Sequence, residues 1–210
     1  MISGDMVGNV KGVIVLDNEG RRIIAKYYNQ EFNLGLQTDQ QQKVFERNLF
    51  QKSNKQEGSG AKLNMYENDI MNVDDYVAIF RCYTDMTIYV LGDGKNDNEL
   101  ILASVLDTIH DCFDQVFKHN IERKSLINNM TGVILVIDEL IDQGIIMQLD
   151  PQIILQRISS KDVAIDGSEN PAPSGGLMGM FGGNQAQESN SMFSSIFASA
   201  RGQVSKTLAL

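Results

Sequence analysis

The chain has 210 residues, with 18 Lys and Arg against 27 Asp and Glu, for a formal net charge of −9. That length suits one domain with an appendage, and 42% apolar residues are enough to bury a core. The acidic balance without a basic cluster excludes nucleic acid as a natural partner, and no apolar run approaches the roughly 20 residues that span a bilayer.

The N-terminal MISGDMVGNVKGVIVL lacks the charged, apolar and small-residue regions of a signal peptide. Cys82 and Cys112 are therefore expected as reduced thiols, in the cytosol or on the cytosolic face of a membrane. Residues 9–16 (NVKGVIVL) and 22–28 (RIIAKYY) are β-rich runs on either side of Asp17, Asn18, Glu19 and Gly20. Asp and Asn favour a turn start and glycine tolerates positive φ, so the pair predicts a hairpin. Residues 40–54 change to a helical period, with Val44, Phe45 and Leu49 on one stripe. KQEGSG at 55–60 predicts a loop. Strand-like runs follow at 61–67, 76–83 (YVAIFRCY) and 86–91 (MTIYVL). Thr84-Asp85 is short enough to make the last two antiparallel neighbours. The polar stretch 68–75 reads as a link.

A clear helix comes next. Asn96, Asp97, Asn98 and Glu99 offer caps, and Leu102, Val105, Leu106, Ile109 and Phe113 form one stripe behind them. A second helix is predicted over about 126–141, with Met130, Val133, Ile134, Ile137, Leu140 and Ile141 apolar and Gly144 as its stop. Asp150-Pro151 reads as an N-cap and first-position proline opening a short helix through Ile158. The order β-β-α-β-β-β-α-α-α predicts an α+β fold: a five-stranded antiparallel sheet with helices on one or both faces. Residues 1–160 make that domain. Residues 161–190 read as a flexible Gly/Ser-rich linker holding Pro171 and Pro173. In 191–210, Phe193, Ile196, Phe197, Ala200 and Val204 fall at spacings of three and four, with Arg201 and Lys206 off the stripe. That pattern suits an amphipathic helix that docks on the body, on a partner groove or on a membrane.

The sequence offers little chemistry. It has no GxxxxGK[ST] and no GxSxG, and Gly92-Asp93-Gly94-Lys95 lacks the spacing of a phosphate loop. His110 and Cys112 lie about 200° apart on a helix and diverge instead of sharing a metal. Asp138 and Asp142 fall on one helix face at i,i+4 with Glu139 turned away, which reads as a solvated or capping face. No catalytic residue, cofactor or metal is expected, and residue patterns alone lead to a binding module.

Several segments in order carry a resemblance: VIVLDNEGRRIIAKYY at 13–28, VFERNLFQKSNK at 44–55, NDNELILASVL at 96–106 and IDELIDQGIIMQLDPQIILQRI at 137–158. Together they resemble the coatomer zeta family, relatives of the sigma-type small chains of clathrin adaptors. IFASARGQVSKTL in the tail is similar to the terminal segment of some members. The resemblance implies a longin-like fold and a non-enzymatic structural role. It implies pairing with the coatomer gamma subunit beside the beta and delta subunits, and recruitment by Arf-type GTPases. It places the chain in the cytoplasm and peripherally on Golgi membranes and vesicles, in retrograde transport to the endoplasmic reticulum and within the Golgi. In sigma-type chains a related surface binds acidic dileucine sorting peptides. Its apolar part would fall near Thr84, Met86, His110 and His119, and Ile23 stands where an arginine would face the acidic part, with Arg21 and Arg22 beside it. Phe193, Ile196, Phe197 and Val204 are the expected partner or membrane contacts of the tail. A longin-type regulator of fusion or tethering is the competing class, but the tail is too short for sustained SNARE heptads.

Overall fold

The hairpin at 9–28 forms as β1 (Gly12–Asp17) and β2 (Arg22–Tyr27), and in this computed structural model residues 10–28, 36–58 and 67–165 are described. The turn is built by Asp17, whose Oδ1 accepts the N–H groups of Glu19 and Arg21 at 2.9 Å each. Gly20 has φ 73°, and a Cβ there would meet the Phe50 ring at 2.7 Å, so glycine is required on both counts. α1 (Asp39–Gly58) follows, then β3 (Asp69–Val73), β4 (Tyr76–Cys82) and β5 (Met86–Asp93). All pairings in the sheet are antiparallel, and the strand order is β2-β1-β5-β4-β3.

β3 corrects the expectation for this region. The link at 68–75 contains the edge strand, while all but Glu67 of the expected strand at 61–67 lies outside the described residues. Met71 and Val73 of β3 are buried and Ile70 and Asn72 exposed, so only half of the strand is visible as a hydrophobic signal. The link to β4 is a two-residue turn in which Asp74 takes φ 54°, a region that Asp enters more readily than most residues.

α2 (Glu99–Val116) matches its expectation, with Asn98 Oδ1 accepting the Leu100 N–H at 2.9 Å as the cap. The helix expected over 126–141 is two helices, α3 (Arg123–Asn128) and α4 (Met130–Leu140), broken at Asn129. Ile134, expected on the buried stripe, is exposed. Gly144 does not stop a helix. It sits with Gln143 at the tip of a small hairpin between β6 (Ile141–Asp142) and β7 (Ile145–Ile146), where both residues have positive φ, 49° and 89°. α5 (Pro151–Ile165) is capped as expected, Asp150 Oδ1 accepting the Gln152 N–H at 2.9 Å. It runs past Ile158 and five residues into the expected linker. Residues 166–190 and 191–210, with Phe193, Ile196, Phe197 and Val204, lie outside the described residues.

Strand alternation divides the core into two layers. Ile14, Leu16, Phe80 and Tyr89 face one side with Phe45 and Leu49 of α1. Val13, Val15, Ile88 and Val90 face the other with stripes from α2, α4 and α5. β1 is buried along its whole length because both of its faces are covered. α1 is also tied to β2 by a buried carboxylate. Glu46 receives Arg22 Nε at 3.0 Å and Nη2 at 2.8 Å, and the Tyr27 hydroxyl at 2.8 Å. Such a charge is tolerated in a core only when paired and hydrogen-bonded in this way.

Candidate functional site

At one end of the sheet the β1–β2 turn, the β4–β5 turn and the start of α3 come together. Asn18 donates to the Thr84 carbonyl at 3.0 Å, and the Arg123 N–H donates to the Asp85 carboxylate at 3.0 and 3.1 Å. Arg123 Nε is 3.7 Å from Asp17. The residues expected to line a sorting-peptide pocket are placed around this end as follows. Thr84 is exposed in the turn. Met86 opens β5 and has no exposed surface, being packed in the core cluster with Ile109 and Phe113, so it cannot wall an open pocket in this conformation. His110 is half-buried on α2, its Nδ1 2.9 Å from the Tyr83 hydroxyl. Burial, and then the Arg81 charge, push its imidazole below the ordinary histidine range. His119 is exposed after α2, with Nδ1 2.6 Å from Asp114.

The two arginines beside Ile23 are already engaged by acids of this chain. Arg21 meets Asp17 at 2.8 Å and Glu19 at 2.9 Å. Arg22 meets Glu46 and, at 3.1 Å, Asp39. An acidic peptide would have to displace those partners. The carboxylates at 138–142 also differ from expectation: Asp142 is on β6, not on the helix, while Asp138 pairs with Lys26 and Glu139 lies 3.9 Å from Arg157. His110 and Cys112 diverge as the helix geometry requires, Cys112 entering the core. Among the described residues no group of three or more His, Cys, Asp and Glu side chains could hold a metal ion. A groove of about 860 Å³ opens between α1 and the β3–β4 turn, lined by Leu36, Val44, Phe45 and Tyr76 with charges of both signs.

The segment with the most exposed large apolar side chains among the described residues does not stand out in the sequence. Among the described residues, six of the nine exposed large apolar side chains come from 123–153: Ile127, Ile134, Ile145, Met147, Leu149 and Ile153. Ile145, Met147 and Leu149 alternate along an extended segment, 46%, 57% and 39% exposed. That segment is anchored by Met147 N–H to the Leu140 carbonyl at 2.8 Å and by the Thr108 hydroxyl to the Leu149 carbonyl at 3.2 Å. Ile153, near the start of α5, is exposed as well. The signal was present in GIIMQLDPQII, where every second residue from 145 to 149 is apolar. It was hidden by the neighbouring apolar residues that do turn inward.

This sheet with α1 on one face and α2, α4 and α5 on the other has known relatives, and the profile of the clathrin adaptor complex small chain matches residues 9–164. The chain belongs to that adaptor small-chain family. Coatomer zeta subunits are among its curated relatives. Zeta-2 of Mus musculus is 34% identical over 150 residues, covering 71% of this chain and 66% of the mouse protein, just under two thirds of its length. Zeta-2 of Arabidopsis thaliana is 30% identical over 167 residues, 80% of this chain and 87% of the plant protein. The probable zeta-A of Dictyostelium discoideum is 34% identical over 154 residues. Among solved assemblies, a chain of a homology model of the full-length AP-3 complex superposes with a TM-score of 0.52 at 14% identity, covering 74% of this chain and 94% of that chain. This likeness bears on fold, and it agrees with the adaptor small-chain architecture. Among the described residues no helix is long and apolar enough to cross a membrane.

Proposed function

We propose that this chain is a structural, non-enzymatic subunit of a coatomer-type vesicle coat, pairing with a gamma subunit beside beta and delta subunits. In this reading Arf-type GTPases bring the complex to Golgi membranes for retrograde and intra-Golgi transport. The observation that carries the reading is the concentration of exposed apolar side chains in 127–153, among them the alternating Ile145, Met147 and Leu149, on a chain whose family members are adaptor subunits. Side chains such as Met147 and Ile145 gain free energy when a partner removes them from water, about 25 cal/mol for each Å² of apolar surface. Permanent interfaces between subunits are large and apolar for that reason.

The test is co-expression. The chain produced alone is expected to be poorly soluble, and co-expression with a gamma-subunit trunk is expected to rescue it and to yield a one-to-one complex. A stable, monodisperse monomer that fails to retain the gamma trunk would remove the proposal. Recovery of SNARE or tethering proteins in place of coat subunits would favour the fusion-regulator class.

A further inference from the structure

The outer side of α1 carries a row of cations. Lys43, Arg47 and Lys55 are exposed, and positions 43, 47, 51 and 55 drift by only about 40° at each step of four. Gln51 fills the remaining place, and the row is about 18 Å long. Lys52 flanks it, donating from Nζ to the Asn72 carbonyl of β3 at 3.4 Å. The helix has three acids. Asp39 in the first turn meets Lys43 at 2.7 Å and Arg22 at 3.1 Å. Glu46 is buried and taken up by Arg22 and Tyr27. Glu57 stands in the last turn. Among the described residues no carboxylate forms an ion pair with Arg47, Lys52 or Lys55.

The groove beside α1 nearly cancels its own charges. Its rim has Lys11 and Lys95 against Asp74, Asp75 and Asp93, with Lys95 3.6 Å from Asp75. Across the sheet the balance is reversed. α2 carries Glu99, Asp107, Asp111 and Asp114 and neither Lys nor Arg. Asp107 is paired with Arg81 and Asp114 with His119, while Glu99 and Asp111 stay exposed. On α4, Asp138 and Glu139 are balanced by Lys26 and Arg157. A chain of net charge −9 thus turns a basic helix outward on one side of its sheet and an acidic one on the other.

A flat anionic surface meets one side of a molecule at a time. Charges more than about 8 Å apart are largely screened at physiological salt, and a helix alone is about 10 Å across. The acids of α2, beyond the sheet, are therefore hidden from a surface that touches α1. Val44, 51% exposed, stands among the cations and can enter the headgroup boundary. An acidic peptide is the poorer fit, because the groove that would hold it has Asp74, Asp75 and Asp93 on its rim. The exposed apolar side chains of α3, α4, β7 and α5 belong to the side with α2, so a partner seated there leaves α1 open.

From these observations we propose that the outer face of α1 docks on an anionic lipid surface through Arg47, Lys52 and Lys55, with Lys43 beside them. The contact is the subunit's own and goes beyond the coat reading, in which a GTPase brings the complex to the membrane. It also sets an orientation, with α1 toward the lipid and α2 away from it.

Vesicle sedimentation decides it. The full chain is taken as its complex with a gamma trunk, or alone if it is monodisperse. Which of the two forms is obtained bears on the coat reading and not on this one. Phosphatidylcholine vesicles containing phosphatidylserine are expected to bind it, less as salt rises, and pure phosphatidylcholine vesicles to leave it in solution. Each cation near such a surface strengthens binding about fivefold. Arg47→Gln/Lys55→Gln is therefore expected to weaken binding about tenfold or more, while Arg47→Lys/Lys55→Arg stays within about twofold. Lys118→Gln/Lys124→Gln makes the same change in net charge on the α2 side and is expected to stay within about twofold as well. Equal urea midpoints verify that each variant is folded. Unchanged binding by Arg47→Gln/Lys55→Gln, an equal loss in Lys118→Gln/Lys124→Gln, or equal binding to both kinds of vesicle overturns the proposal. Retention of an oligoglutamate peptide through Arg47 and Lys55 without binding to the vesicles assigns the face to an acidic protein segment and overturns it too.

Discussion

Asp17 and Glu46 are two buried carboxylates that position turns and helices, and each makes a measurable claim. Burial by itself would raise the Asp17 carboxyl. The Arg21 N–H, the Arg21 guanidinium and the Glu19 N–H outweigh that and hold it below the usual carboxylate range. An unfolded aspartate titrates near about 3.9. Because the native value is lower, Asp17 contributes stability above about pH 4 that is lost as pH falls through the native value. Urea midpoints measured from pH 7 to pH 2.5 should therefore show Asp17→Asn less stable at neutral pH. The gap to the unaltered chain should close as the pH drops, and a constant gap would contradict the account. Glu46 is 3% exposed and holds two hydrogen bonds from Arg22 and one from Tyr27. Glu46→Ala would leave Arg22 partly unpaired at the β2–α1 contact. A cost of about 3 kcal/mol is expected, read as a lower denaturant midpoint with unchanged slope. The expected peptide-pocket residues belong to this scale too. Sequence can place Met86, His110 and His119 on elements, but not say that Met86 faces the core while Thr84 does not. That depends on which face of β5 receives α2, which is a tertiary fact.

Among the elements, the strongly periodic ones were legible and the weakly patterned ones were not. The β1–β2 hairpin, β4, β5 and α2 each carry turn chemistry or an apolar stripe that only one structure satisfies. β3 was missed because an edge strand with one buried face needs only Met71 and Val73 to be apolar, and its turn is two aspartates where glycine or asparagine is the commoner signal. The break at Asn129 was invisible because Leu126 and Val133 keep in step across it, although Asn129 donates its side-chain amide to the Ser125 carbonyl at 2.7 Å and takes no helical φ/ψ. Gly144 reads in the sequence as the stop of a helix, whereas in the structure it closes the β6–β7 hairpin at φ 89°. This gives a prediction for the element. Gly144→Ala imposes a Cβ at φ 89° and is expected to cost about 1 kcal/mol or more. Hydrogen exchange should rise first at the β6–β7 hairpin. An unchanged midpoint and local exchange would argue against the turn assignment.

Across the whole molecule, the sheet separates two core layers. Cys82 lies in the layer with α1, and Cys112 lies in the layer with α2. With the sheet between them, no intramolecular disulfide can form without unfolding. Burial also pushes the Cys112 thiol up to about 12, so it is protonated and unreactive at neutral pH. A thiol reagent at pH 8 is expected to titrate the native protein slowly and to find two thiols immediately in urea. Rapid reaction of both in the native state would contradict this layering. The reduced thiols expected from sequence rested on cellular context, whereas the folded chain supplies a geometric reason of its own.

The central pairing of the sheet also governs how the chain emerges during synthesis. β1 is the most deeply buried strand, and its inner edge pairs with β5, Asp17 lying opposite Met86. About 70 residues must be translated between those partners. At the usual 5–20 residues per second, the nascent hairpin waits on the order of 4–14 s with one edge of β1 unpaired. During that interval GVIVL is an apolar strand with open amides, the kind of segment on which cellular chaperones act. The strand that ends up least accessible is thus the one most in need of protection while the ribosome is still at work.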